Sequence, residues 1–169
     1  MTLPILVLAL VTLQRFGELM LAQRNTRRLM ARGAVESGAE HYPLIVGLHC
    51  AWLAGLLLLA WERPVNLAWL GVYAVLQVLR VWVIATLGGR WTTRIITLPG
   101  EPLVRRGPYR FLSHPNYVVV AAEIAVLPLA FGMPAYALAF SLLNASALWV
   151  RIRAENAALA AGAGQGHQA

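Results

Sequence analysis

The chain has 169 residues, 59% of them apolar and 12% charged, where an ordinary soluble domain has roughly 45–50% and about 25%. Its net charge of +7 comes from 14 Arg against seven Glu, with no Lys and no Asp, and a mean hydropathy of +0.63 leaves too little polar side chain to cover a water-facing globule. The Arg residues stand in clusters between apolar runs, a layout that argues against nucleic acid as the partner and for a multi-spanning membrane protein.

The first apolar run, residues 2–22, lacks an early basic region and a small-residue cleavage site, so a retained helix is expected rather than a signal peptide. Runs over 42–61 and 67–87 follow, and at about 20 residues each these three can cross a hydrocarbon core of roughly 30 Å. After a polar stretch come residues 117–131 and 134–150, divided by Gly132-Met133-Pro134. At about 1.5 Å per residue these two reach only about 22–26 Å, which leaves either two short spans or a re-entrant hairpin. The expected fold is therefore an all-α integral membrane protein of about five transmembrane helices, the last two a short helical hairpin, with a cytoplasmic loop able to carry a ligand site. Eleven Arg fall in the 23–41 loop, the 88–116 loop and the C-terminal end, against Arg63 alone on the other side. The positive-inside bias then puts the N-terminus outside and the C-terminus in the cytoplasm. Residues 1–161 form one domain in this reading, and the Gly- and Ala-rich residues 162–169 a flexible tail.

Arg15 and Arg80 lie inside apolar segments, with Glu18 and Glu123 as acidic counterparts. Arg15, Arg80, Glu123 and Asn144 each sit about six or seven residues from the cytoplasmic end of a helix, a depth of roughly 9–10 Å. Two arrangements satisfy this pattern. In one, Arg15 and Glu18 pair locally while Arg80 snorkels to the interface; in the other, the layer lines a polar pocket open to the cytosol. Cys50 lies in an apolar run and is expected to be a buried structural thiol, and His49 a packed or hydrogen-bonded histidine. His41, His49, His114 and His167 show no metal-ligand spacing. The Gly-Ala-Gly-Gln-Gly run near the C-terminus follows no strand and opens no helix, so it is not a phosphate loop.

The informative stretch is GGRWTTRIITLPGEPLVRRGPYRFLSHPNY, residues 88–117. Residues 91–97 are rich in β-branched side chains and suggest a short extended ribbon that turns at Leu-Pro-Gly. His114-Pro115 predicts a helix start with Ser113 as candidate cap, which gathers Tyr109, His114, Asn116 and Tyr117 around a helix N-terminus suited to anions. An interfacial aromatic belt with snorkelling Arg explains Tyr109 and the Arg residues, but not the Pro-fixed geometry.

The run G-P-Y-R-x-x-x-H-P-x-Y at Gly107–Tyr117 resembles the signature of the isoprenylcysteine carboxyl methyltransferase family. Arg151-x-x-x-Glu155-x-x-x-Leu159 resembles that family's second motif, and Gln14-Arg15-x-x-Glu18-Leu19 with Arg24-Asn25 is similar to its small bacterial branch. The resemblance implies an integral-membrane O-methyltransferase that uses S-adenosylmethionine without a Rossmann domain, on a lipophilic substrate entering from the bilayer among membrane lipids. By the same resemblance, Glu101, Pro102, Leu103 and Val104 line the cofactor site, and Tyr109, His114, Pro115, Asn116 and Tyr117 complete it. Arg94 is a polar cofactor contact, Glu155 holds the methionine ammonium, and Arg151 meets the acidic oxygen of the substrate. Two features depart from the family pattern: the second Glu of the family's pair is Asn156, and the family's longer C-terminal cap is missing. Without the resemblance, Arg151 and Glu155 are a surface i,i+4 ion pair. An NADPH-dependent lipid or sterol reductase and a non-catalytic membrane protein or transporter are the competing classes; the first would need more dinucleotide contacts, the second inverted repeats or broken helices.

Overall fold

The computed structural model describes residues 2–165. Five α-helices make up the bundle: α1 (Thr2–Met30), α2 (Tyr42–Leu59), α3 (Leu67–Leu87), α4 (Pro115–Ala130) and α5 (Pro134–Gln165). Two three-residue strands, β1 (Val35–Ser37) and β2 (Ile95–Thr97), pair antiparallel at the Arg-rich end, with Glu36 opposite Ile96. Helices α1, α2, α3 and α5 are long and apolar enough to cross a membrane, and α4 is a shorter apolar helix. Leucines and valines facing outward along these helices, such as Leu10, Leu13, Leu58, Val78 and Leu142, are the surface expected against lipid.

The hairpin is uneven rather than short. With 16 residues, α4 reaches about 24 Å, whereas the 32 residues of α5 reach about 48 Å. The apolar run ending at Val150 does not end the helix, because Arg151, Glu155 and the Ala-rich stretch after them are all good helix formers. Helix continues through Gln165, into the stretch expected to be a flexible tail; residues 166–169, including His167 and the last Gly of the Gly-rich run, lie outside the described residues.

The apolar core lies toward the Arg-poor end, where Leu8, Trp52, Leu56, Ile124, Leu127 and Phe131 pack together. Asn66 caps α3, its side chain accepting from the backbone of Ala68 and Trp69 at 3.0 and 3.2 Å. Its own N–H donates to the Ala130 carbonyl at 2.8 Å, which ties α3 to the end of α4. Gly55 lets α5 approach α2: a Cβ there would come within 2.2 Å of the Tyr136 hydroxyl, which donates to the Trp52 carbonyl at 2.8 Å.

Between this core and the Arg-rich end, α1, α3 and α4 are joined by a closed square of charges. Arg15 donates to Glu18 at 2.9 Å and to Glu123 at 2.8 Å. Arg80 donates to both oxygens of Glu18 at 2.5 and 2.6 Å and to Glu123 at 3.1 Å. Gln14 and Gln77 complete it, Gln14 donating to Glu18 at 2.8 Å and Gln77 to Glu123 at 2.9 Å. Neither sequence expectation describes this arrangement in full. The local Arg15–Glu18 pair is present, but Arg80 does not snorkel, because two carboxylates meet its guanidinium at depth. Asn144 is buried without joining the square, and the layer is a network of directly paired charges rather than a lined pocket, with the buried Tyr73 hydroxyl left without a hydrogen-bond partner among the described residues. Buried charges are tolerated in such a place only when paired and hydrogen-bonded.

Candidate active site

Local chemistry builds the site between the end of α3 and the start of α4. The chain leaves α3 through Gly88 (φ 54), and buried Asn25 of α1 holds the turn by donating to the carbonyls of Gly88 and Trp91 at 3.1 and 2.8 Å. Residues 91–94 bend at Thr93 and Arg94 and lead into β2, which β1 pairs. Gly107 (φ 56) opens the G-P-Y-R turn against α3, where a Cβ would meet Thr86 Oγ1 at 2.6 Å; any side chain would push the turn away. Helix α4 then starts with Pro115 in its first turn. His114 occupies the cap position with no side-chain hydrogen bond to the helix, so Ser113 is not the cap. The following proline restricts His114, which points its ring elsewhere.

A cavity of about 110 Å³ lies between β2, the start of α4 and α5, lined by Trp91, Arg94, Tyr109, His114, Asn116, Tyr117, Arg151 and Glu155 among others. The Tyr117 hydroxyl stands between the two charged groups of α5. It accepts from Arg151 Nε at 2.8 Å and donates to Glu155 Oε2. Arg151 Nη2 donates to the Thr93 carbonyl at 2.7 Å. The His114 ring stacks on Tyr117 with centroids 5.3 Å apart, its Nε2 lies 3.2 Å from Asn156 Oδ1, and its Nδ1 is 3.6 Å from Glu155 Oε2. Arg151 is therefore buried, only 8% exposed. The surface ion pair expected from i,i+4 spacing does not form, because a tyrosine hydroxyl is inserted between its ends. Tyr109 packs nearby, and burial, with a smaller push from the Glu155 charge, raises its phenol above the ordinary range.

Seven of the predicted residues are thus brought to one cavity: Arg94, Tyr109, His114, Asn116, Tyr117, Arg151 and Glu155. Pro115 is buried in the first turn of α4 and starts the helix rather than lining the cavity. Glu101, Pro102, Leu103 and Val104 also lie outside the lining. Glu101 forms ion pairs with Arg32 and Arg90, and Arg90 donates to the Pro102 carbonyl at 2.7 Å. Two guanidinium groups hold this segment toward the end of α1, with Leu103 exposed. Arg94 lines the cavity but is also engaged by Glu36, at 2.8 and 3.0 Å, and by the Tyr42 ring, 4.5 Å from its guanidinium carbon. Glu36, Tyr42, Thr93 and Trp91 escaped the sequence reading. Only the Gly33 and Gly38 brackets around Val35–Ser37 hinted at a second strand.

Two buried polar atoms of the lining have no hydrogen-bond partner among the described residues, the acceptor Asn116 Oδ1 and the donor Trp91 Nε1. Buried groups in this state cost roughly 1–3 kcal/mol each. Together with one carboxylate and two guanidinium groups, they suit a ligand end that carries both charges and further donors and acceptors. The volume is below the roughly 300–1,000 Å³ of pockets that enclose a drug-sized ligand, so it admits one end of such a molecule. Among the described residues, no group of three or more His, Cys, Asp or Glu side chains is arranged to hold a metal ion.

Residues 69–161, which include nearly all of α3, the loop, α4 and most of α5, match the model of the isoprenylcysteine carboxyl methyltransferase family. The chain is also similar to a Bacillus subtilis (strain 168) protein whose name is "Uncharacterized protein YpbQ", with 38% identity over 159 residues, 91% of this chain and 95% of that one. No solved structure matches. The matched segment contains every cavity-lining group named above, so the motifs and the geometry agree: the chain belongs to the isoprenylcysteine carboxyl methyltransferase family.

Proposed function

We propose that the protein transfers a methyl group from S-adenosylmethionine to an acidic oxygen of a lipophilic acceptor at the cytoplasmic face of a bacterial membrane. The acceptor is an isoprenylcysteine-type carboxylate or a long-chain polyketide such as an alkylpyrone. The observation that carries this reading is the Arg151–Tyr117–Glu155 chain on a cavity that also holds the unpaired Asn116 Oδ1 and Trp91 Nε1. Membership of a membrane methyltransferase family whose members generally use S-adenosylmethionine supports it.

S-adenosylmethionine supplies a sulfonium methyl group, which passes to the acceptor oxygen as the sulfonium becomes a neutral thioether. Glu155 offers a carboxylate to the ammonium of the cofactor's amino-acid end. Arg151 uses Nε and Nη2 within the protein, and its Nη1 is left for the acidic oxygen of the acceptor; a guanidinium keeps its charge at any working pH. An acceptor that is a carboxylate or an acidic enol is already ionised near neutral pH, so no general base is needed. His114 fits that account, since its ring is occupied by Tyr117 and Asn156 and acts as a wall of the site. Opposite charges vanish in this displacement, and water stabilises the reactants more than the charge-dispersed transition state. A cavity at the membrane edge promotes the reaction by excluding water and aligning the partners.

Calorimetric titration of the detergent-purified protein with S-adenosylmethionine and with NADPH tests the reading. Saturable binding of the first and none of the second is expected. Binding of NADPH alone would replace the methyltransferase by a reductase.

A further inference from the structure

Arg94 is held by residues that lie outside the segment matched by the family model. Its Nη1 donates to both oxygens of Glu36, on β1, at 2.8 and 3.0 Å. The ring of Tyr42, the first residue of α2, covers one face of the guanidinium at 4.5 Å, and Tyr42 Oη is 3.0 Å from Thr93 Oγ1. The backbone beneath is equally fixed. Pairing of β1 with β2 sets Glu36 opposite Ile96, and Gly38 (φ 64) brings the ribbon against α5, where a Cβ would lie 3.4 Å from Ala154 Cβ. Among the described residues, Nε and Nη2 of Arg94 make no hydrogen bond, while the residue lines the same cavity as Glu155. A guanidinium is a rigid planar fork of five N–H groups, so binding one nitrogen and one face determines where the remaining N–H groups point.

We propose that Glu36 is a positioning residue: it fixes Arg94 so that Nε and Nη2 receive the carboxylate of S-adenosylmethionine, whose ammonium is held by Glu155. The N-terminal ribbon thereby becomes one wall of the cofactor site and a determinant of its selectivity for a ligand carrying a free amino-acid group. This inference rests on the cofactor reading above. Pre-organisation is its physical basis, since a side chain already ordered loses less freedom when the ligand arrives. It also gives Tyr42 a role, because the ring prevents the long Arg side chain from folding back on the ribbon.

The test is calorimetric titration of the full-length protein with S-adenosylmethionine and with its decarboxylated analogue. In Glu36→Gln, affinity for S-adenosylmethionine is expected to fall by about tenfold, the scale of one charge-assisted hydrogen bond. Affinity for the decarboxylated analogue is expected to be unchanged, which also shows that the variant is folded. Glu36→Asp, which keeps the charge, should recover part of the loss. Equal weakening for both ligands, or no change for either, overturns the positioning role while leaving the cofactor reading intact. A wild type that binds neither ligand overturns the cofactor reading, and this inference with it.

Discussion

The molecule contains two clusters that join Arg to Glu across helices, and they differ in how directly the charges meet. In the membrane-embedded square, Arg15, Glu18, Arg80 and Glu123 are matched two against two, and Gln14 and Gln77 occupy further carboxylate sites. At the cavity, Arg151 and Glu155 are separated by Tyr117, and among the described residues guanidinium nitrogens of Arg94 and Arg151 are unspent and Asn116 Oδ1 and Trp91 Nε1 have no partner. Charge content alone does not distinguish a structural network from a ligand site; whether the carboxylates and guanidinium groups bond one another directly does. The square fixes how α1, α3 and α4 sit against one another. Because α3 leads to Trp91 and α4 begins at Pro115, it also sets the distance across the cavity that both helices border.

The largest effect is expected from breaking the square. Removing one buried charge leaves its partners uncompensated, so Arg80→Met should cost about 3–5 kcal/mol in thermal or denaturant unfolding in detergent. Adding Glu18→Gln restores neutrality, because Arg15 and Glu123 remain paired, and the double variant should be more stable than the sum of the two single losses predicts. Strict additivity would show that the four charges do not act as a unit.

A smaller and differently distributed effect is expected at the cavity. Glu155→Ala should weaken S-adenosylmethionine binding by about 1.5–3 kcal/mol, the scale for a hydrogen bond to a charged group. Arg151→Ala should leave that binding nearly intact and slow methyl transfer strongly. Equal small changes in both quantities, within about 0.5 kcal/mol, would return the two residues to the status of surface charges.

The smallest effect concerns Tyr109. Its phenol is raised above the ordinary value of about 10 by burial and then by Glu155, so the folded state keeps a proton that the unfolded chain releases. The folded protein binds more protons than the unfolded one above about pH 10, and stability must fall as pH rises through that range. Tyr109→Phe should flatten this part of the melting-temperature profile and leave the profile below pH 9 unchanged. An unaltered alkaline slope would show that Tyr109 titrates as a free phenol.

Much of this protein is written in local pattern. Apolar runs of membrane length, Arg clusters at one end and Pro-marked helix starts gave the membrane class and the main helices, because each depends on neighbouring residues. The two motif stretches supplied six of the residues that meet at one cavity, and Arg94 came from the loop before them. Local pattern misjudged the end of α5, where the apolar run stops before the helix does: hydropathy reports contact with lipid, while helix formation continues on backbone propensity.

Tertiary structure decided the pairings. Glu18 finds Arg80, and Glu123 finds both Arg15 and Arg80, only through the relative rotation of three helices, and no spacing rule spans the 108 residues between Arg15 and Glu123. Tyr117 comes between Arg151 and Glu155 because α4 and α5 cross there, which turned an expected ion pair into a bridged one. Glu101 is drawn out of the expected cofactor lining by Arg32, in the turn after α1, and Arg94 is oriented by Glu36, 58 residues away in the chain. Sequence thus determined which chemistry-bearing groups the site can use. Only the packing of the helices decided which of them neutralise one another and which remain free for a ligand, because that choice depends on contacts between segments that local pattern does not encode.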